Sequence, residues 1–238
     1  MPEAVIVATA RTPIGRASKG SLVDARPDDM SGFIIKELLG KAGIDTALVE
    51  DVIWGCAQPA GEAGYNIGRV AGLLAGIDAP GVTVNRYCSS SLQTIRMASH
   101  AIKAGEGDIF IAAGVETVSR YINGMADSGP LNTLFDEARV RTDKRSTGEG
   151  GAWAPQEGLP DIYIAMGQTA ENVAEFENVS REEMDEFAAQ SQQRATAAQE
   201  RGFFEREITP IDTVDAEGNA VTVSKDCLLY TSPSPRDS

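Results

Sequence analysis

Cys88 stands where an apolar run, Val82-Thr83-Val84-Asn85-Arg86-Tyr87, gives way to a polar and then amphipathic one, Ser89-Ser90-Ser91-Leu92-Gln93-Thr94-Ile95. That order predicts strand, sharp turn and helix, with a thiol at the helix N-terminus. Unpaired backbone N–H groups and the helix dipole favour negative charge there, so a thiolate is stabilised and can serve as a nucleophile. Magnitudes limit what the junction does alone. A free thiol is only a few per cent ionised at neutral pH, and a helix N-terminus contributes roughly 0.3–1 kcal/mol. Full activation therefore needs a base, and the sequence holds one histidine, His100. It lies 12 positions beyond Cys88 on the same predicted helix, about 18 Å along the axis at about 1.5 Å per residue. His100 reads as a helix-surface or interface residue, and the base for Cys88 must come from elsewhere.

The other two cysteines, Cys56 and Cys227, are widely spaced and form no C-x-x-C pair. With one histidine as well, a zinc site has almost no ligands to draw on. Cys56, inside Val52-Ile53-Trp54-Gly55-Cys56, reads as a small buried hydrophobe. A net charge of −14 over 238 residues repels nucleic acid and anionic membrane surfaces. A run long enough to span a bilayer, about 18 apolar residues, does not occur, and the N-terminus shows neither a signal nor a transit pattern. A reducing, cytoplasmic location is the expectation.

The elements that must position Cys88 alternate. A strand is predicted over Ala4 to Ala10, then a helix from Asp28 to Leu39 with Met30, Ile34, Ile35, Leu38 and Leu39 at helical spacing. A strand over Asp51–Ala57, a helix over Asn66–Leu74 and a strand over Val82–Tyr87 follow. The helix after Cys88 carries Leu92, Ile95 and Ile102, and Asp108–Ala113 is a fourth strand. Such alternation predicts an α/β domain, with helices covering a mixed or parallel sheet. From Arg120 to Leu159 periodicity fades, and an extended, loop-rich region is expected. Helical signals return over Thr169–Phe176, and Ser180-Arg181-Glu182-Glu183 fits a capping box opening a helix to about Arg201. Its stripe of Met184, Phe187, Ala188, Ser191, Ala195 and Ala198 predicts a shallow packing face. Glu207–Ile211 and Ala220–Ser224 predict a hairpin across Asp215–Asn219.

Four segments in order give the chain a specific resemblance. Val84-Asn85-Arg86-Tyr87-Cys88-Ser89-Ser90-Ser91-Leu92-Gln93 resembles the nucleophile segment of the thiolase family. Arg11-Thr12-Pro13-Ile14-Gly15 is similar to its N-terminal loop, and Gly114-Val115-Glu116-Thr117-Val118-Ser119 to the strand end leading into its loop domain. Met166-Gly167-Gln168-Thr169-Ala170-Glu171-Asn172-Val173 resembles the segment lining the acyl-CoA site. The resemblance implies an α/β fold: a thiolase-like N-terminal core domain over residues 1–119, with a mixed sheet covered by helices, and an inserted loop domain over 120–226. It also implies a coenzyme A-dependent acyltransferase. Cys88 would attack the keto carbon of a 3-ketoacyl-CoA, release acetyl-CoA and pass the acyl group to a second CoA, or condense acetyl units in reverse. The Cys88 backbone N–H would help hold the thioester oxyanion, and Met166 would shape the substrate pocket. Coenzyme A enters as substrate, no cofactor is bound covalently, and a homodimer or homotetramer is expected of the full-length protein.

Departures from the family bear on the same reading. Its C-terminal half supplies a His in a Gly-His-Pro segment, a second Cys acting as acid and base, and an Asn-Glu-Ala-Phe segment. None occurs here, so a C-terminal half is expected to be missing and the chain alone to be nearly inactive. Ala165 precedes the Met-Gly pair where some biosynthetic thiolases carry His, which tilts away from an acetoacetyl specialist. Arg139, Arg141, Lys144 and Arg145 are placed to meet CoA phosphates, although such a run is more often solvated surface. Decarboxylating condensing enzymes share the Cys junction but lack the segment from Arg120 to Lys225. A non-catalytic, thiolase-like lipid- or CoA-binding protein is the alternative from another class. Residues 227–238, ending Thr231-Ser232-Pro233-Ser234-Pro235-Arg236-Asp237-Ser238, hold no pattern that could pack and are expected to be a non-native or disordered tail.

Overall fold

The computed structural model describes residues 3–214 and 218–227. It divides into two compact units, one built from residues up to Ser128 and from Arg201 onward, the other from Gly129–Glu200. The loop domain was expected over 120–226. By compactness, residues 120–128 and the segment after Arg201 instead pack with the first unit, because the chain returns there through the Arg11–Glu207 and Arg11–Asp226 contacts described below. Of the expected tail only Cys227 is described, and its N–H donates to the Ile14 carbonyl at 3.0 Å. The rest of the tail, and Asp215–Glu217 of the expected hairpin turn, lie outside the described residues.

In the first unit a three-stranded parallel sheet runs in the order β2-β1-β3, with β1 at Asp51–Gly55, β2 at Gly81–Val84 and β3 at Phe110–Gly114. Val52, Ile53, Trp54 and Gly55 are all buried. Four consecutive buried positions mean that both faces of β1 are covered, as a central parallel strand requires. Helix α1, Pro27–Ala42, opens with Pro27 and the acidic pair Asp28 and Asp29, and stops at Gly43, whose φ of 65° is the left-handed cap glycine adopts freely. Helix α2, Ile67–Leu74, packs on α1, β1 and β2. Ile35, Ile67, Ile77, Val52 and Trp54 are buried almost completely in this core, each apolar side chain stabilising the fold by roughly 1.5–3 kcal/mol.

Two expectations need correction. Ala4–Ala10 is extended but is assigned to no strand; the one bridge beside it joins Arg11 to Ile208. An alternating or apolar run becomes a strand only when its amides find a ladder, and here Val5, Ile6 and Val7 stay 67–74% exposed. The helix after Cys88, α3 at Ser90–Ala104, does not bury its apolar stripe: Leu92 is 70% and Ile95 43% exposed. Ser90, Thr94 and Ala98, spaced at i, i+4 and i+8, are the buried face. Small residues occupy it because the helix lies directly on the glycine-bearing ends of β1 and β3.

The second unit holds α4 (Asp136–Ser146), α5 (Met166–Phe176) and α6 (Arg181–Glu200). Helix α4 falls inside the stretch expected to be loop-rich. Its sequence has little apolar periodicity, and acidic Asp136 and Glu137 in its first turn with basic Lys144 and Arg145 in its last complement the dipole instead. The capping box is present in full: the Ser180 N–H donates to Glu183 Oε2 at 2.8 Å, and the Glu183 N–H to Ser180 Oγ at 3.2 Å. The predicted stripe of α6 is not buried within the unit, where Phe187 is 72% exposed and only Ala198 is buried. The hairpin forms in the first unit, but its first strand is β4, Ile211–Val214, rather than Glu207–Ile211; it runs antiparallel to β5 (Ala220–Val223).

Candidate active site

Cys88 is exposed in a single 3-10 turn, Tyr87–Ser89, that runs straight into α3. The strand before it ends at Val84, three residues earlier than the apolar run suggested, because Asn85 to Tyr87 form the reversal itself. Tyr87 takes φ +46°, a left-handed conformation costly for a residue with a bulky side chain. Its N–H donates to Asn85 Oδ1 at 2.9 Å. Its carbonyl accepts from the Ser90 hydroxyl at 2.6 Å, and that hydroxyl in turn accepts from the Arg86 N–H at 2.9 Å. The junction thus consumes its own polar groups locally and leaves the thiol in solvent, ahead of the first-turn amides of α3, which have no intrahelical acceptors.

Glycines let the helix approach. A Cβ on Gly55, the last residue of β1, would lie 2.8 Å from the Ser90 carbonyl carbon, and one on Gly114, the last of β3, would collide with the Ser91 side chain. Thr94, fully buried one turn on, donates its hydroxyl to the Ser91 carbonyl at 2.8 Å. The same hydroxyl reaches the Ala113 carbonyl of β3 at 3.3 Å, and that contact ties α3 to the strand end.

Cys56 is the contrasting thiol. It is 1% exposed, and burial, with the Glu116 carboxylate beside it, pushes its thiol up to about 11. Glu116 accepts from the Ala57 N–H at 2.7 Å and from the Tyr121 hydroxyl at 2.9 Å; burial and that carboxylate raise the Tyr121 phenol as well. The Gly114–Ser119 segment is thereby tied to the end of β1. Arg120, just beyond it, pairs with Glu62 and holds that carboxyl below its ordinary range.

The Arg11 loop is anchored to the far end of the unit. Arg11 reaches Asp226 through both Nη atoms at 2.8 Å, and Glu207 at 3.0 Å. Asp226 also accepts from the Ile14 N–H at 2.8 Å, and the guanidinium holds the Asp226 carboxyl below its usual range. His100 sits exposed on α3, as its spacing predicts. In the second unit Met166 opens α5 and is 74% exposed. Of the basic run there, Arg145 is engaged internally with Asn172 at 3.1 Å and Glu175 at 2.6 Å, Arg141 donates to the Leu159 carbonyl at 2.9 Å, and Arg139 pairs with Asp136 at 3.2 Å. Among the described residues no group of three or more His, Cys, Asp or Glu could hold a metal ion, and no helix is long and apolar enough to cross a membrane.

Sequence reasoning passed over Asn85, Tyr87, Gly55 and Gly114. An Asn two positions before a reversal is the signature of an Asx turn, and it was available; nothing in a tyrosine announces a positive φ.

The chain is 41% identical over 219 residues to a 3-ketoacyl-CoA thiolase of Bacillus subtilis (strain 168), covering 91% of this chain and 51% of that protein. It is 42% identical over 233 residues to a beta-ketoadipyl-CoA thiolase of Acinetobacter baylyi, covering 95% of this chain and 56% of the relative. A 3-oxoadipyl-CoA/3-oxo-5,6-dehydrosuberyl-CoA thiolase of Escherichia coli (strain K12) is 40% identical, with the same shares covered. The chain therefore spans about half the length of these relatives. The family model described as "Thiolase, N-terminal domain" matches residues 4–232, and this chain belongs to the thiolase family.

Proposed function

We propose that the protein to which this chain belongs is an acyl-CoA C-acyltransferase of the thiolase type, with Cys88 as its nucleophile. The exposed thiol held by a strained turn at the start of α3 supports the reading most directly. The Cys88 thiolate adds to the keto carbon of a 3-ketoacyl-CoA, and the charge moves to the keto oxygen, where first-turn amides stabilise it. Collapse breaks the bond between the keto carbon and its neighbour toward the thioester. The acetyl-CoA enolate leaves and takes up a proton, and the acyl group stays on sulfur. A second CoA thiol, giving up its proton, attacks that thioester, so acyl-CoA leaves and the Cys88 thiolate returns. The reverse order gives condensation of acetyl-CoA.

His100 is about 18 Å down the helix and serves neither proton step. In this reading those groups come from the part of the relatives' length that this chain does not span, and the chain alone turns over nothing. The relatives' names extend from 3-ketoacyl-CoA to beta-ketoadipyl-CoA thiolases, so the proposed substrate class is 3-oxoacyl-CoA thioesters. Met166 is proposed to line the acyl site. A homodimer or homotetramer is proposed for the full-length protein, coenzyme A is substrate only, and the cytoplasm is the proposed location.

The test is the rate of Cys88 alkylation by iodoacetamide at pH 7.5, followed by peptide mass spectrometry against glutathione as the reference thiol. Cys88 is expected to react up to roughly fivefold faster than glutathione, with Cys56 unmodified. A Cys88 rate equal to that of glutathione overturns the nucleophile and leaves the non-catalytic CoA- or lipid-binding reading.

A further inference from the structure

Tyr87 bears a conformational cost at the position next to the reactive sulfur. A left-handed, bulky residue is disfavoured by roughly 1–2 kcal/mol, and such residues persist only where surrounding contacts over-determine them. The Tyr87 hydroxyl donates to Asp127 Oδ1 at 3.4 Å, and two side chains that hold its backbone differ in kind. Ser90 is buried in α3 and satisfies the Tyr87 carbonyl and the Arg86 N–H, so it also belongs to the helix–sheet packing. Asn85 is exposed and takes no part in the core. Its Oδ1 accepts from the Tyr87 N–H at 2.9 Å while its Nδ2 donates to the Ala57 carbonyl at 3.0 Å.

The far anchor is firm. Cys56, the neighbour of Ala57, donates its N–H to the Val84 carbonyl at 3.0 Å, extending the β1–β2 ladder, and the Ala57 N–H is held by Glu116 at 2.7 Å. One amide side chain therefore ties the nucleophile turn to the end of the central strand, using its acceptor on one and its donor on the other.

Resting on the assignment of Cys88 as nucleophile, we propose that Asn85 is a positioning residue: it clamps Tyr87 in the left-handed conformation and so holds the Cys88 sulfur at the first-turn amides of α3. The clamp acts through backbone, not by touching the thiol. When it is cut, Tyr87 relaxes to a negative φ, Cys88 rotates away from those amides, and the thiol reacts as an ordinary one.

The experiment is iodoacetamide labelling of Cys88 in this chain, with Asn85→Ala, Asn85→Ser, Tyr87→Gly and the double variant Asn85→Ala/Tyr87→Gly. Glycine adopts a positive φ at no steric cost, so at position 87 it makes the clamp unnecessary. Asn85→Ala is expected to slow Cys88 labelling roughly fivefold, to the rate of an ordinary thiol. Asn85→Ser, which keeps a short acceptor but cannot reach Ala57, should fall between. Tyr87→Gly should match the parent within about twofold, and the double variant should recover to within about threefold of it. An Asn85→Ala rate equal to or above the parent overturns the proposal, as does a double variant as slow as Asn85→Ala. Loss of a cooperative melt in Asn85→Ala, or labelling of Cys56, would make Asn85 a residue of the fold and likewise overturn it. A parent Cys88 no faster than glutathione defeats the nucleophile itself, whereas a fast parent with an unaffected Asn85→Ala defeats only the clamp.

Discussion

Gly55 lies against Ser90 so closely that a methyl group on the glycine would stand 2.8 Å from the Ser90 carbonyl carbon and 2.9 Å from the Ser91 nitrogen. Both are backbone atoms and cannot swing aside. Gly55→Ala must lift the start of α3 off β1, at a cost of about 1–3 kcal/mol. A urea melt should show a lower midpoint. Labelling of Cys88 should slow in the same variant, since the turn preceding α3 moves with it.

The buried thiol gives stability a pH dependence of its own. Cys56 is pushed up to about 11 in the folded chain, against about 8.5 for a free thiol. Between those values the unfolded chain has lost a proton that the folded chain keeps. Stability therefore falls as pH rises through that window and levels above it. Cys56→Ala should remove this part of the alkaline slope, measured by urea melts from pH 8 upward. In the parent, Cys56 alkylation should stay negligible until the chain is unfolded or the pH nears the raised value.

At the other end of the scale, Asp226 is held below its ordinary range first by its hydrogen bonds to Arg11. The sign is that of a depressed carboxyl: its contribution is present above the unfolded value of about 4 and is lost as pH falls through the lower folded value. Asp226→Ala leaves Arg11 with Glu207 alone and orphans the Ile14 N–H. It should cost roughly 1.5–3 kcal/mol at neutral pH. The gap between parent and variant should close in acid, which thermal melts from pH 7 down to pH 3 would reveal.

Much of the frame was legible because local rules and tertiary structure agree. Pro27 with Asp28 and Asp29, then Gly43, bracket α1; Ser180 and Glu183 make the cap they advertise. The Cys88 junction was legible because a strand–turn–helix sequence leaves few other shapes. What escaped was set by partners distant in sequence. The buried face of α3 is not announced by hydrophobicity: Leu92 and Ile95 stay exposed, and closeness to Gly55 and Gly114 selects Ser90, Thr94 and Ala98. Helix α4 escaped because charge placement sustains it with Ala138 alone buried. Tyr87 escaped because the contacts that hold its backbone come from Asn85 and Ser90, not from any preference of tyrosine.

Val5, Ile6 and Val7 remain in water while β3, among the described residues, carries a strand neighbour on one side only. Bare β-branched side chains next to an open strand margin invite self-association. The colloidal behaviour of this polypeptide then depends on mutual repulsion between copies, carried by its net charge of −14. Buffers approaching the isoelectric point near 4.5, or concentrated salt, remove that repulsion and should turn clear preparations turbid well before the core itself gives way.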